Sequence, residues 1–372
     1  MNELWVIKLG SSLITQHGRC LDRDWIAQMA AQISQLHSRG IGAVVVSSGA
    51  VAAGLQALQM DGRPEELEEL QGAAAVGQPL VMQAWSQALR DNGLRVAQIL
   101  LSHDDARLRE RYLNLRAMVR RLVEYGVIPI INENDSVCTD EIKFGDNDRL
   151  AAMVADLAGA QRLVLATDQW GLLTADPRKD PAARRITRAD AGDARLDAMA
   201  GDGGKLGQGG MRTKLDAARR SARSGVNTWI VHGRQPNLLP GLVDGVVPGT
   251  ELLAPTGDGV WNARRRWLGT ALHVEGDVII DAGAAKVLST GEASLLPVGV
   301  VDVRGEFLSG DLVRCLDPEG HEVARGLINY AAADMLRLCG AKGHEIEARL
   351  GREGDAEVIH RDNLLISGGD LG

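Results

Sequence analysis

Aromatic side chains are scarce in this chain: 372 residues include 7 Trp, 3 Tyr and 2 Phe. The interior must therefore be built mainly from Ala, Val, Leu and Ile, which with 44 glycines suits helices packed closely on sheets. The four cysteines, Cys20, Cys138, Cys315 and Cys339, stand far apart with no CxxC pair, which argues against a disulfide framework and a thiolate zinc site. No basic segment followed by an apolar stretch opens the sequence, and nowhere do about 18 apolar residues run together. A cytoplasmic protein with no membrane span is expected. Basic charge is not in excess: 41 Lys+Arg against 49 Asp+Glu leave a balance of −8, which disfavours broad attraction to nucleic acid or anionic membrane.

Several catalytic signatures are missing too. None of the eight histidines forms H-E-x-x-H or another close metal-ligand pair, so an isolated ring such as His232 reads as structural. The serines at 47–48 do not sit in G-x-S-x-G, because Val46 takes the first glycine position, and a covalent serine mechanism is disfavoured. Cys138 has no histidine near it in sequence. The glycine-rich loop before Lys214 is neither a Walker A loop nor a G-x-G-x-x-G turn.

The length predicts two domains. In the first two-thirds, β-branched runs at 5–9, 43–47, 96–101, 127–132, 162–167 and 228–231 alternate with helical periodicity at 24–38, 105–125, 147–157 and 213–224. Such βα alternation predicts a mostly parallel sheet covered by helices on both faces, with ligands at the carboxyl ends of the strands. Residues 249–262, rich in Gly, Pro and Thr, read as a linker. Strand-like runs at 271–274, 277–280, 298–303, 311–315 and 322–327 then predict a small β-rich barrel with little helix. The division drawn from this is a catalytic domain at 1–256, a linker at 257–268 and a second domain at 269–365.

Polar motifs cluster where the strands end. In VIKLGSS at 6–12, Lys8 closes an apolar run, and a lysine buried there needs an anion. In VVVSSGAVAAG at 44–54, Ser48 and Gly49 expose backbone donors beside a hydroxyl. INENDSV at 131–137 and FGDNDRL at 144–150 place Asn132, Glu133, Asn134, Asp135, Asp146, Asn147 and Asp148 between strand and helix, more polar groups than caps require. Asp135 could accept an ammonium, Asn147 could bond a carboxylate, and Asp148 could orient lysines or a metal. Thr167 and Asp168 end another strand, and Gln208, Gly209, Gly210, Met211, Arg212, Thr213 and Lys214 run from a glycine loop into a helix, a phosphate cradle with an ammonium. Two lysines, a glycine cradle and Asp/Asn residues suggest phosphoryl transfer, which depends on positioning and charge neutralisation.

Taken in order, VIKLGSS, VVVSSGAVAAG, INENDSV, FGDNDRL, ATDQWGLLTADPR and GGMRTK resemble the glutamate 5-kinases of the amino acid kinase superfamily. The 294–300 and 324–330 region resembles a PUA domain. The resemblance implies transfer of the ATP γ-phosphoryl group to the side-chain carboxylate of L-glutamate, at the start of proline synthesis, with Mg²⁺. It implies that Lys8 contacts the phosphoryl group, that Ser48, Gly49, Asp135 and Asn147 hold glutamate, and that Thr167, Asp168 and Gln208 through Lys214 line the ATP site. Asp148 is then the organiser of Lys8 and Lys214. Proline feedback at or beside the glutamate site and a homo-oligomer are also implied. Arg212 departs from the small polar residue expected inside GGMRTK. The competing readings are a kinase of N-acetylglutamate or aspartate, or an RNA-associated PUA protein. Asp135 favours a free ammonium, and from Thr270 onward 9 Lys+Arg face 18 Asp+Glu, which disfavours RNA.

Overall fold

The computed structural model describes all residues except 1–2, 17, 19, 103–104, 106–108, 138–146, 176–179, 181, 201–209, 247–248, 256–273, 291–292, 353 and 368–372. The chain divides into two compact units, Met1–Val260 and Trp261–Gly372. The linker expected at 257–268 lies outside the described residues.

The first unit opens with β1 (Glu3–Leu9), α1 (Ser11–Ile14), β2 (Thr15–Gln16), β3 (Cys20–Leu21), α2 (Arg23–Ser38) and β4 (Ile41–Val46). It continues through α3 (Ala50–Ala57), α4 (Leu67–Asp91), β5 (Arg95–Leu101), α5 (Arg109–Glu124), β6 (Val127–Glu133), α6 (Asp148–Ala158) and β7 (Arg162–Thr167). β8 (Arg188–Asp190), α7 (Arg195–Met199), α8 (Met211–Arg223), β9 (Asn227–His232), α9 (Leu238–Val243) and β10 (Gly249–Leu253) complete it. The eight-stranded sheet has the order β5-β6-β4-β1-β7-β9-β10-β8. The six strands from β5 to β9 run parallel. β10 is antiparallel to β9, and β8 runs with β10.

Strands buried on both faces read as unbroken apolar runs. β1 alternates Trp5, Ile7 and Leu9 into the core shared with α2, α4 and α9. By the two-residue period, Val6 and Lys8 face the opposite layer of α5, α6 and α8. The chain fills the β4 side of β1 first and then returns to the β7 side, so the carboxyl end of β1 is the switch point where α/β sheets bind ligands.

Two expectations are corrected here. Residues 249–253, read as linker, form β10, because a polar GTELL segment serves as an outer strand between β9 and β8. The helix before the site begins at Met211 rather than near Thr213. The 25-residue α4 was not foreseen. Pro79 lies inside it, and small residues line its contact with α3, where a Cβ on Gly77 would overlap the Ala50 carbonyl oxygen.

The second unit holds β11 (Gly276–Ile280), α10 (Ala282–Leu288), β12 (Val300–Gly305), β13 (Leu312–Leu316), β14 (Glu322–Leu327), α11 (Ala332–Leu338), α12 (Ile346–Leu350) and β15 (Leu364–Ile366). Its five strands follow the order β12-β11-β13-β14-β15. Three short helices pack with them, more helix than the sequence pattern suggested. Of the run expected at 271–274, residues 271–273 lie outside the described residues.

Candidate active site

β1 lies between β4 and β7, so a lysine near its end cannot reach solvent as an edge-strand lysine would. Lys8 is only 5 % exposed. Its Nζ lies 2.6 Å from Oδ1 of Asp148, the first residue of α6, and Nζ of Lys214 on α8 lies 3.0 Å from Oδ2 of the same carboxylate. Two cationic amines separated by two hundred residues of chain thus meet on one buried anion. Thr213 Oγ1 stands 3.0 Å from Asp148 Oδ2 and 2.8 Å from the Gly210 carbonyl, so its single proton serves one or the other.

Burial by itself would push the Asp148 carboxyl up, but the Lys8 and Lys214 ammonium groups overcome this and hold it well below the usual carboxylate range. Two ammonium groups therefore converge on one buried carboxylate. Such clusters contribute little to stability, since desolvation consumes most of the attraction. Their chemical use is to receive negative charge in a site where water does not screen it.

Beside this cluster lies a polar pocket at the ends of β4 and β6. Gly49 caps α3 with φ +97°, a left-handed conformation that glycine adopts without strain, and a Cβ there would press on Ile14 Cγ2 at 3.1 Å. Asn147 occupies the N-cap position of α6, yet its side chain makes no capping bond. Its Nδ2 instead lies 2.8 Å from Ser48 Oγ, 3.0 Å from the Ser47 carbonyl and 3.1 Å from Asn132 Oδ1. Two protons are shared among three acceptors, while Asn147 Oδ1 is buried with no partner among the described residues.

Asp135 and Glu133 are both buried. Desolvation and the neighbouring Glu133 charge push the Asp135 carboxyl up to about 7, against an opposing pull from Arg63. Arg63 offsets this only in part, so the group gains from receiving a further cation.

α4 supplies residues that sequence reasoning missed. Gln78 Oε1 accepts from Asn132 Nδ2 at 2.9 Å, and Trp85 Nε1 donates to Ser47 Oγ at 3.0 Å, so α4 fixes two groups of the pocket. The signal available was apolar spacing at Leu70, Ala73, Ala74, Gly77, Val81, Ala84 and Trp85, which the internal proline obscured.

On the other side of β1, Thr167 ends β7 and its Oγ1 lies 3.1 Å from Asp168 Oδ1. Gly210 is the N-cap of α8 and makes no side-chain cap, leaving backbone donors at its first turn. Met211 opens that turn, and Arg212 is exposed on it. Gln208 and Gly209 lie outside the described residues.

The amino acid kinase family model matches residues 3–232. The chain belongs to the amino acid kinase family. A PUA domain model matches residues 276–350. Full-length relatives agree: the chain is 51 % identical to a glutamate 5-kinase of Cupriavidus taiwanensis and to one of Burkholderia multivorans, each over 97 % of both chains. It is likewise 51 % identical to a glutamate 5-kinase of Chromohalobacter salexigens, over 97 % of this chain and 95 % of that one. A solved UMP kinase of Bacillus anthracis matches with 14 % identity and a TM-score of 0.47, over 68 % of this chain and 97 % of that one.

Among the described residues no three His, Cys, Asp or Glu side chains stand together as a metal cage, and both oxygens of Asp148 are engaged by ammonium groups. The described residues therefore do not by themselves form a site for the Mg²⁺ expected of such a kinase. No described helix is long and apolar enough to cross a membrane.

Proposed function

We infer that the chain is a glutamate 5-kinase, transferring the γ-phosphoryl group of ATP to the side-chain carboxylate of L-glutamate. The observation that carries the reading is the shared ion cluster, in which Asp148 holds the amines of Lys8 and Lys214 at 2.6 and 3.0 Å. A carboxylate is already a nucleophile at neutral pH, so no general base is required, and the obstacle is repulsion between two anionic substrates. Lys8 and Lys214 neutralise the migrating group, Asp148 keeps them in place, and the reaction gains from their being oriented beforehand.

Asp135 takes the substrate's ammonium, and Asn147, expected from the sequence to bond the carboxylate, instead offers that ammonium its Oδ1, which has no partner among the described residues. Ser48 and Gly49 lie against the remainder of the glutamate. Thr167 and Asp168, with Gln208 through Lys214, line the nucleotide site. Magnesium would arrive with the ATP phosphates, which commonly bind it together with few protein ligands. The catalytic part is read as 1–256 and the PUA part as 269–365. Proline acts as a feedback inhibitor at or beside the pocket, and the protein works as a homo-oligomer in the cytoplasm.

The test is ADP release with ATP and Mg²⁺ over a panel of L-glutamate, N-acetylglutamate and aspartate. Glutamate alone should support turnover. Preference for N-acetylglutamate would contradict the role of Asp135, and turnover with none of the three would remove the reading.

A further inference from the structure

Within ATDQWGLLTADPR the kinase reading uses Thr167 and Asp168 and leaves Trp170 without a role. Trp5, Trp25 and Trp85 are buried and Trp229 is half-buried, whereas Trp170 is 54 % exposed. It is nonetheless held. Its ring stacks on His232 with centroids 4.4 Å apart and planes inclined by 20°. The backbone N–H of Arg234 points to His232 Nδ1 at 3.3 Å, and Arg234 is tied in turn to Asp22 Oδ2 at 3.1 Å, so the imidazole beneath the indole is braced.

The position of this pair matters as much as its exposure. His232 ends β9 in register with Thr167 at the end of β7, which places the stack on the carboxyl edge of the sheet beside Thr167 and Asp168. Lys8 marks the phosphoryl end of the site on β1, and β7 and β9 are the next two strands outward. Two strand spacings are about 10 Å. An extended nucleoside triphosphate with its terminal phosphate at Lys8 reaches about that far with its base.

We propose that Trp170, backed by His232, is the platform on which the purine base of the nucleotide stacks, making it a specificity-determining residue of the ATP site. The inference rests on the kinase reading of Thr167, Asp168 and α8. Any base has a face that stacks on an aromatic ring, and the larger purine overlaps an indole better than a pyrimidine does. The platform therefore favours ATP over CTP.

The experiment uses the full-length chain with Trp170→Ala and Trp170→Phe. Trp170→Ala should raise the ATP KM about tenfold, equivalent to about 1.4 kcal/mol, while the glutamate KM moves by less than about twofold. Trp170→Phe keeps an aromatic face and should recover most of the loss. The ratio of kcat/KM for ATP over CTP should fall toward one in Trp170→Ala, and quenching of tryptophan emission by ADP should disappear in Trp170→Phe. An unchanged ATP KM in Trp170→Ala, or an equal rise in both KM values, overturns the proposal. Calorimetric titration with ADP keeps the two readings separate. If the wild-type chain releases no ADP with glutamate the kinase reading fails, while weaker ADP binding by Trp170→Ala would still support the platform and equal binding would still overturn it.

Discussion

In the kinase unit Lys8, Glu133, Asp135, Asp148 and Lys214 are all buried, whereas in the PUA unit the only buried polar side chain among the described residues is Asn363. The PUA unit instead keeps its ion pairs at the surface, with Arg314 Nε 2.7 Å from Asp277 Oδ1 and Arg352 Nη2 2.7 Å from Asp334 Oδ2. Its interior is an apolar cluster around Val278, Ile280, Val313, Cys315 and Met335. Both units fold from the same kinds of residues, but among the described residues only the kinase unit buries charge, and five of its eight buried charged side chains gather around the carboxyl ends of its central strands. Buried charge is a poor source of stability. Its concentration at one edge of one sheet marks where the molecule does chemistry.

The sharpest way to break that contrast is to remove the shared anion. Asp148→Asn leaves two buried ammonium groups facing each other, so kcat should fall by at least about 10³-fold and thermal stability should drop by the several kcal/mol typical of an uncompensated buried charge. Steady-state kinetics and a melting curve check both halves, and a variant with wild-type melting would separate the cluster from the fold.

Asp135→Asn should act on binding rather than on rate. The glutamate KM should rise about 10²-fold, with the ATP KM nearly unchanged, because a neutral amide loses the charged partner of the substrate ammonium. Stability should move the other way. The folded group sits at about 7, above its unfolded value, so the folded chain binds more protons and Asp135 lowers stability as pH rises toward and through 7. Asp135→Asn should therefore melt higher than wild type at pH 8, by about 2–4 °C for each kcal/mol regained. The same group predicts a pH effect in the wild type. Below pH 7 it is mostly protonated and cannot pair with an ammonium, so kcat/KM for glutamate should rise about tenfold from pH 6 to pH 8, and the rise should be absent in Asp135→Asn.

The smallest effect belongs to the other unit. Arg314→Ala removes a partly exposed pair with Asp277, which should cost at most about 1 kcal/mol and leave both KM values alone. A large kinetic effect there would show that charge in the PUA unit also serves catalysis.

Much of the architecture was legible because its signal is local. Unbroken apolar runs marked the central strands, and spacing of three and four marked α2, α5, α6 and α8. β10 was hidden by a polar GTELL sequence whose partners lie elsewhere in the chain, and α4 by Pro79 and its small contact residues. Lys8 stood out because a lysine ending an apolar strand needs an anion. The pairing of Lys8 with Lys214 through Asp148, however, came from the pattern of motifs and not from spacing. The elevated carboxyl of Asp135 and the bracing of Asn132 and Ser47 by α4 could not be read at all, since each depends on which groups are dehydrated together in three dimensions.

The central claim is that Lys8 and Lys214 serve one migrating phosphoryl group as a unit. A double-mutant cycle in kcat measures this directly, with Lys8→Ala, Lys214→Ala and the pair assayed at saturating ATP and glutamate. Residues that act as a unit lose their effects non-additively. Each single change should cost about 10²–10³-fold, and the double change less than about tenfold beyond the worse single. Near-normal turnover in either single variant, or losses that multiply in the double, would contradict the account.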